Sequence, residues 1–271
     1  MTDKTSLGNR MKKYESAFNF MFPIRFPLII RLDGSHFHSQ VKKWKCKKPF
    51  DEHLITTMQY TSKVLCETIP GAQIAYTQSD EITILIRDDI SIHSEPVFGK
   101  EINKILSIFA SRASNIFNWK FFNLGNRERS INEIPFKMLA EFDCRGFILP
   151  ENEIINAFIW RQKDFERNSI QMVARNYFSH KQLNKKNNSG IQDMLMLEKG
   201  VNWNDLPTHL KRGACIIKKE VSKEVPKRDK KGKKVEGNEI IKRHMWVIDL
   251  DIPIFTKNKN YINKYAKIYE N

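Results

Sequence analysis

The stretch of sequence that decides the fold reads PLIIRLDG at residues 27–34, and a second stretch, QIAYTQSDEITILI at residues 73–86, shares its pattern. Each contains an apolar run that ends in an acidic turn, Asp33-Gly34 in the first and Ser79-Asp80-Glu81 in the second. Short apolar runs bounded by turn residues are typical of strands, and the second stretch reads as a hairpin with the acidic turn at its tip. If these strands lie side by side, Asp33 and Asp80 meet at one edge of a sheet.

Two carboxylates placed together suit a hard divalent cation. Magnesium prefers oxygen ligands in octahedral geometry. Two-metal sites hold their ions about 3.5–4 Å apart and clamp the attacking and leaving oxygens of a phosphoryl transfer. The pair therefore indicates nucleotide chemistry. The competing interpretation is that Asp-Gly and Ser-Asp serve only as turn formers.

The rest of the chain has the pattern of an α+β protein. The predicted helices cover residues 7–14, about 51–68, 100–118, 154–180 and 191–199; extended segments cover 136–150, 211–217 and 245–250; loops cover 35–48 and 218–238. The order strand, helix, hairpin, helix suggests a polymerase-like palm, a ferredoxin/RRM-like antiparallel sheet with helices on one face. We expect a catalytic palm domain over residues 1–180 and a C-terminal extension over 181–271 that packs on it.

The charge balance favours a polyanionic partner. The 271 residues include 46 Lys and Arg against 31 Asp and Glu, a net charge of +15. A surplus of this size lends affinity for nucleic acid with little sequence information. Nine basic and three acidic residues lie within 218–234, so we predict a flexible lysine-rich loop there. That loop either extends an RNA surface or is only a solvated segment.

Composition also bears on the compartment. No apolar stretch approaches the roughly 20 residues that a membrane span requires, and the first residues lack the apolar segment of a secretory signal. The four cysteines are scattered without CxxC spacing, which favours reduced thiols over a disulfide framework or a zinc site. We expect a cytoplasmic protein, with a mitochondrial location left open.

Several motifs together resemble one family, the tRNA-histidine guanylyltransferases, polymerases that add nucleotides to RNA 5′ ends in the 3′-to-5′ direction. The motifs read LGNRMKKYE at 7–15, IRLDGSHFH at 30–38, KPFD at 48–51, AYTQSDE at 75–81, FDCR at 142–145 and WRQKD at 160–164. They cover most of residues 7–180.

One departure from the family pattern concerns residues 166–172. The eukaryotic enzymes carry HINNLYN there, whereas this chain reads ERNSIQM. This is similar to the "like" branch of the family, which implies template-directed repair of truncated tRNA 5′ ends. Dedicated guanylate addition to histidine tRNA is the alternative within the family.

The resemblance implies how the two acidic turns act. Asp33 and Asp80 would be the catalytic ligands of two Mg²⁺ ions, with the backbone carbonyl of Gly34 as a further oxygen. Glycine at that position lets the main chain approach metal and phosphates closely. Glu81 would assist the metal centre or position the nucleophile; its alternative role is an acid that points outward on a strand.

The resemblance also implies a nucleoside triphosphate site beside these turns, with ATP or GTP as substrate. Phe37 and His38 would contact base or sugar, and Lys48 would offset phosphate charge. Core packing is the alternative for Phe37, a helix cap for Asp51 and a turn role for Ser79. The full nucleotide-binding set is Asp33, Gly34, Ser35, His36, Phe37, His38, Lys48, Asp51, Ser79 and Asp80.

The macromolecular partner implied by the resemblance is tRNA, and the implied assembly is a homotetramer. Residues that would meet RNA are Arg145, Arg161, Arg167 and Asn168, with structural packing as the alternative for Arg161. Two other classes of function stay open. A different palm enzyme, such as a nucleotide cyclase, would also place two aspartates beside a hairpin. A non-catalytic RNA-binding module would need only the positive charge.

Overall fold

A six-stranded antiparallel sheet organises the part of the chain that the structure describes. The structure is a computed structural model, and it describes residues 5–123, 134–228 and 234–268. In chain order the strands are β1 (Leu28–Gly34), β2 (Ala72–Gln78), β3 (Glu81–Ile86), β4 (Phe142–Ile148), β5 (Ala214–Arg228) and β6 (Lys234–Asp249). Their order in the sheet is β4-β1-β3-β2-β5-β6, and each neighbouring pair is antiparallel. The predicted α+β palm with an antiparallel sheet is confirmed.

Five helices in the described part of the chain correspond to the five predicted ones, and four short helices are additional. They are α1 (Ser6–Ser16), α2 (Phe37–Lys43), α3 (Glu52–Thr68), α4 (Ile102–Asn123), α5 (Ile154–Ala174), α6 (His180–Leu183), α7 (Asn188–Lys199), α8 (Thr208–Arg212) and α9 (Asn260–Ala266). Helix α2 lies in the segment predicted as a loop over 35–48, and α5 ends before the predicted residue 180. No helix in the described part of the chain is both long enough and apolar enough to cross a bilayer.

Both faces of the sheet are covered by helices. Leu28, Ile30 and Leu32 belong to a core shared with residues of α3 and α4. Between them Ile29 points to the opposite face, into a second core shared with α5 and α9. Successive side chains of a strand point to opposite faces, so a run that is apolar at every position is buried on both sides. The sequence predicts helices on one face; the structure adds α5 and α9 on the other.

The prediction of a loop over residues 218–238 is wrong for residues 218–228 and 234–238, which are strand, while residues 229–233 lie outside the described residues. Strands β5 and β6 pair in register from Cys215–Asp249 out to Pro226–Asn238 and form a two-stranded ribbon. The β2 strand pairs only with the first residues of β5, Ala214 to Ile217. Beyond those residues the ribbon is stabilised by the pairing of β5 with β6. Val221, Val225 and Ile241 are half-buried along it. We refer to residues 218–228 and 234–245 as the basic ribbon.

The C-terminal region joins the same sheet at Gly213. This glycine connects α8 to β5 with φ +77° and ψ −168°, a region that essentially only glycine adopts. A Cβ atom added there would lie 2.6 Å from the carbonyl oxygen of Thr77. The neighbouring Tyr76 hydroxyl donates a 2.7 Å hydrogen bond to the carbonyl oxygen of Arg212. The junction between β2 and the C-terminal region therefore has no room for a side chain.

We predict that Gly213→Ala lowers the free energy of unfolding by about 2–5 kcal/mol, because backbone strain and overpacking add there. Gly200→Ala is the matched control, since Gly200 also has a positive φ, +64°, but no atom lies within 4 Å of an added Cβ. The control should lose only about 1 kcal/mol of unfolding free energy, the cost of backbone strain at a positive φ. Urea denaturation followed by circular dichroism measures both, and equal losses would contradict the prediction.

Candidate active site

The two acidic turns meet through their main chains. The backbone N–H of Gly34 donates a 3.0 Å hydrogen bond to the carbonyl oxygen of Asp80. In the strand register Asp33 lies opposite Glu81 on β3 and opposite Asp143 on β4. Ser79 adopts a positive φ of 48° at the tip of the β2–β3 hairpin. The sheet therefore places the two turns side by side at one edge of the molecule's central strands.

The carboxylates at this edge share a poorly solvated, negative environment. Burial and the negative charge of Asp143 raise the pKa of Asp33 above its ordinary value. Burial also raises the pKa of Asp80, and the charge of Asp33 adds to that rise. Desolvated like charges of this kind are stabilised by a cation between them. Asp33, Asp80 and nearby main-chain carbonyls thus fit the oxygen donors that Mg²⁺ prefers. Within the described ranges no group of three or more acidic, histidine or cysteine side chains forms a metal cluster.

Glu81 is engaged by an arginine. Arg161 on α5 donates from Nε to Oε1 and from Nη2 to Oε2 of Glu81, both at 2.6 Å. Both side chains are buried, and Trp160 stacks over the Arg161 guanidinium with its ring centroid 4.6 Å away. Burial raises the pKa of Glu81, although Arg161 acts in the opposite direction. Because both carboxylate oxygens of Glu81 are taken, the alternative of an acid pointing outward on a strand does not hold.

A cavity of about 630 Å³ opens beside the second acidic turn. Its walls come from α2 and the loop after it, from α3, from the hairpin tip, and from α5 and α8. Six of the predicted nucleotide-binding residues line it: Phe37, His38, Lys48, Asp51, Ser79 and Asp80. Asp33, Gly34, Ser35 and His36 immediately precede Phe37 in the chain. A space of this size is in the usual range for a small-molecule site.

Two of these six residues have structural roles. Phe37 is 3% exposed and packs edge-on against the rings of Trp44, Phe117 and Phe142. A Cβ atom on Gly34 would lie 2.4 Å from the Phe37 ring, so this close approach requires glycine. Asp51 caps α3, because its carboxylate accepts from the backbone N–H groups of Leu54 and Lys47. The core role of Phe37 and the cap role of Asp51 therefore hold.

The cavity rim carries unpaired positive charge. Lys42, Lys45, Lys47 and Lys48 line it, and within the described part of the chain these lysines form no ion pair. Lys48 is exposed at the mouth. Opposite them the cavity reaches Ser79 and Asp80. A polyphosphate placed between the lysines and a divalent cation at the two aspartates would be neutralised from both sides.

One wall of the cavity consists of residues that no sequence pattern predicts. Arg175 and Asn176 at the end of α5 and His209 on α8 line that wall. Burial lowers the pKa of His209 and thereby favours its neutral imidazole. No motif marks these residues, because they lie more than 90 positions from the acidic turns along the chain. Only the packing of the C-terminal region against β2 brings them to the cavity.

The residues predicted to meet RNA fall into two groups. Arg167 and Asn168 are exposed on α5, and Arg145 is exposed on β4. Arg167 pairs with Asp164, and Arg145 lies 3.4 Å from a carboxylate oxygen of Asp143. Arg161 is 8% exposed and held by Glu81, so its placement supports the structural alternative rather than an RNA contact.

A palm-like antiparallel sheet with two acidic turns beside a lysine-rimmed cavity defines the class of palm nucleotidyltransferases. A family model described as tRNAHis guanylyltransferase matches residues 8–150. The protein therefore belongs to the tRNAHis guanylyltransferase family and is a nucleotidyltransferase.

Similar proteins extend this likeness beyond the matched segment. A bacterial tRNA(His) guanylyltransferase-like protein solved in complex with ATP is 39% identical, with a TM-score of 0.80 over 98% of this chain and 100% of its own. One solved with GTP is 36% identical, with a TM-score of 0.77 over 97% and 100%. The tRNA(His) guanylyltransferase of Debaryomyces hansenii is 28% identical over 77% of this chain and 78% of its own. An uncharacterized protein of Acanthamoeba polyphaga mimivirus is 31% identical over 80% and 78%.

We predict that Asp80→Asn stabilises the protein in the absence of divalent cations. The pKa of Asp80 is raised in the folded state, so the ionised carboxylate destabilises the folded protein. This destabilisation is fully present at neutral pH. It disappears as the pH falls towards the ordinary value of 3.8. The expected gain at pH 7.5 is about 0.5–2 kcal/mol, and it shrinks at pH 5.

Thermal unfolding in a chelating buffer measures this gain, and added Mg²⁺ should reverse the ranking of the two proteins. Asp89→Asn is a control for which the opposite change in stability is expected. Burial favours the neutral form of Asp89, but the hydrogen bonds and charge of Arg87 outweigh burial and lower its pKa. Asp89→Asn should therefore lower stability at pH 7.5. A loss of stability in Asp80→Asn would contradict the prediction.

Proposed function

We propose that this protein is a Mg²⁺-dependent nucleotidyltransferase that adds nucleotides to tRNA 5′ ends in the 3′-to-5′ direction. One observation carries the proposal. The Gly34 N–H donates to the Asp80 carbonyl oxygen at 3.0 Å, which brings the turn of Asp33 beside Asp80, and Asp80 lines a lysine-rimmed cavity. Palm-type phosphoryl transfer needs this combination of paired carboxylates, a phosphate-sized space and positive charge.

Asp33, Asp80 and the carbonyl oxygen of Gly34 are the groups that would hold the cations. Bound there, Mg²⁺ would neutralise the phosphate oxygens and lower the barrier to in-line displacement. The remaining work falls to the chain's own residues. Lys48 and its neighbouring lysines orient the triphosphate, and the cavity wall formed by α3 and α5 keeps bulk water from the base. The backbone N–H groups of His36 to His38 lie at the start of α2, where they can meet phosphate oxygens, whereas the Ser35 N–H donates to the carbonyl oxygen of Glu141 at 2.8 Å.

The nucleotides we propose are ATP and GTP. Support comes from the bacterial relatives solved with each of them, since the likeness to both covers nearly the whole chain. A tRNA 5′-monophosphate would first be activated by one nucleotide with release of pyrophosphate. The 3′-hydroxyl of the incoming nucleotide would then attack the 5′ phosphorus of the activated end and displace the activating nucleoside monophosphate. Asp33 and Asp80 would hold the cations that neutralise phosphate charge in both displacements.

Repair of truncated tRNA is the version of the activity that residues 166–172 favour. The segment ERNSIQM lies on α5, and two of its members, Ser169 and Ile170, are buried. Glu166 pairs with Arg212 at 2.8 Å and joins α5 to α8. These residues therefore hold the C-terminal region in place, in a segment where the dedicated guanylate-adding enzymes carry a different motif. Guanylate addition restricted to histidine tRNA is the second candidate.

A homotetramer is the assembly we propose. Helix α1 buries none of its residues, and the segment that follows it is apolar and exposed. The exposed large apolar side chains there are Leu7, Met11, Tyr14, Phe18, Phe20, Met21, Ile24 and Phe26. Exposed apolar patches of this kind mark interaction surfaces, which supports self-association.

We predict that a 5′-truncated labelled tRNA is extended at its 5′ end when it is incubated with the protein, Mg²⁺, ATP and GTP. Asp33→Ala and Asp80→Ala should each lower turnover at least about 100-fold while leaving tRNA affinity within about twofold, because affinity resides mainly in basic residues. Asp193→Ala, an exposed acid on α7, is the matched control and should keep full turnover.

The same experiment separates the alternatives. A nucleotide cyclase would convert free nucleotide without tRNA. A binding module would show affinity and no turnover. Addition of a single guanylate to histidine tRNA alone would establish the dedicated activity. Each of these results would overturn the repair proposal.

We predict that the basic ribbon adds to tRNA affinity without taking part in the reaction. Lys223 and Lys227 are exposed on β5. Replacing both with Gln should reduce the slope of log affinity against log salt by about 1.4–1.8, since each phosphate contact contributes about 0.7–0.9. Turnover at saturating tRNA should not change. The control is Lys63→Gln with Lys104→Gln, which removes two charges from α3 and α4. A ribbon variant with the control's salt slope would contradict an RNA role for the ribbon.

A further inference from the structure

We propose that Arg161 is a positioning residue that holds Glu81 out of the cation site, so that Asp33 and Asp80 alone supply its carboxylates. The inference rests on the proposed function for its catalytic part. It gives Arg161, which the sequence predicts only as an RNA contact or a packing residue, a role at the cation site. It also explains how three neighbouring acids yield a site built from two.

Glu81 is placed where a third metal ligand would be. It follows Asp80 directly in the chain and lies opposite Asp33 in the β1–β3 register. Residues directly opposite in an antiparallel pair point to the same face, with Cβ atoms about 4.5–5.5 Å apart. A glutamate at this position has the length to reach a cation shared by the two aspartates. Some other interaction must therefore keep it away.

The Arg161 guanidinium supplies that interaction. Its two hydrogen bonds of 2.6 Å occupy both oxygens of Glu81, the two-point geometry that arginine forms with a carboxylate. The arginine is itself fixed: Asp164 accepts a 3.1 Å hydrogen bond from Nη2, and Trp160 covers its face. Arg31 approaches the same carboxylate at 3.9 Å without a hydrogen bond from its Nε.

The burial of both charges also indicates that Glu81 depends on Arg161. Glu81 and Arg161 have side-chain exposures of 7% and 10%, and a buried carboxylate left without its partner is strongly unfavourable. If Arg161 is lost, Glu81 regains a neighbour by turning towards the cations. The site would then hold a third acid, bind divalent cations more tightly and lose the geometry that two carboxylates impose. Ion affinity and turnover would move in opposite directions.

The test compares Mn²⁺ binding, followed by electron paramagnetic resonance, with turnover on truncated tRNA. In Arg161→Met the Mn²⁺ half-saturation concentration should fall by about threefold or more, while kcat falls about 10–100-fold and KM for nucleotide stays within twofold. Arg161→Lys keeps the charge and should retain near-normal Mn²⁺ binding with intermediate kcat. The double variant Arg161→Met with Glu81→Gln removes both charges and should return Mn²⁺ binding to the unmodified value.

Arg87→Met is the matched control. Arg87 is also a buried arginine with two hydrogen bonds to one carboxylate, that of Asp89, and its loss should lower stability without changing Mn²⁺ half-saturation. The proposal is overturned if Arg161→Met weakens Mn²⁺ binding, or if Glu81→Gln alone abolishes it as Asp80→Asn does, since Glu81 would then be a ligand. If the unmodified protein extends no tRNA, the proposed function fails, while the Mn²⁺ series still decides the role of Arg161.

Discussion

The structure depends on the antiparallel register of β1 against β3. The hydrogen bond from the Gly34 N–H to the Asp80 carbonyl oxygen lies at the end of this pairing. A shift of one residue would turn every side chain of one strand to the opposite face. Asp33 would then leave the edge that it shares with Asp80, and Leu32 would leave the core. The same apolar residues that build the two cores therefore also keep Asp33 and Asp80 at the same edge of the sheet.

Sequence patterns predicted the parts of the molecule that local chemistry determines. The acidic turns, α3 with its Asp51 cap, and the strands of the palm each follow from residues a few positions apart. Helix α2 was missed, because its only buried residue is Phe37, and so no helical apolar repeat marks it. The basic ribbon was not predicted because most of its residues are charged. Only a few β-branched residues, such as Val221 and Val225, indicate the alternation of apolar and polar positions that is typical of a strand. Cross-strand pairing, rather than strand composition, stabilises it.

The sequence predicts the two aspartates of the candidate site, but it does not predict all of the residues that form the cavity walls. A motif joins Asp33 to Asp80, whereas the pairing of Glu81 with Arg161 spans 80 positions and depends on where α5 crosses the sheet. His209 reaches the cavity from α8, which leads into β5 at Gly213, and Arg175 reaches it from the end of α5. Long-range placement of this kind follows from packing, and no local spacing encodes it.

The two sides of the acidic edge differ in how their charges are used. On the α5 side each arginine has a carboxylate partner: Arg161 has Glu81, Arg167 has Asp164 and Arg212 has Glu166. On the cavity side the lysines of the loop after α2 have no such partner in the described part of the chain. Paired charges fix geometry but offer little to a ligand, while unpaired charges repel one another until an anion binds. The unpaired set borders the turn that carries Asp80, so under the proposed function the triphosphate would bind on the cavity side, while Arg161 of α5 holds Glu81 in position.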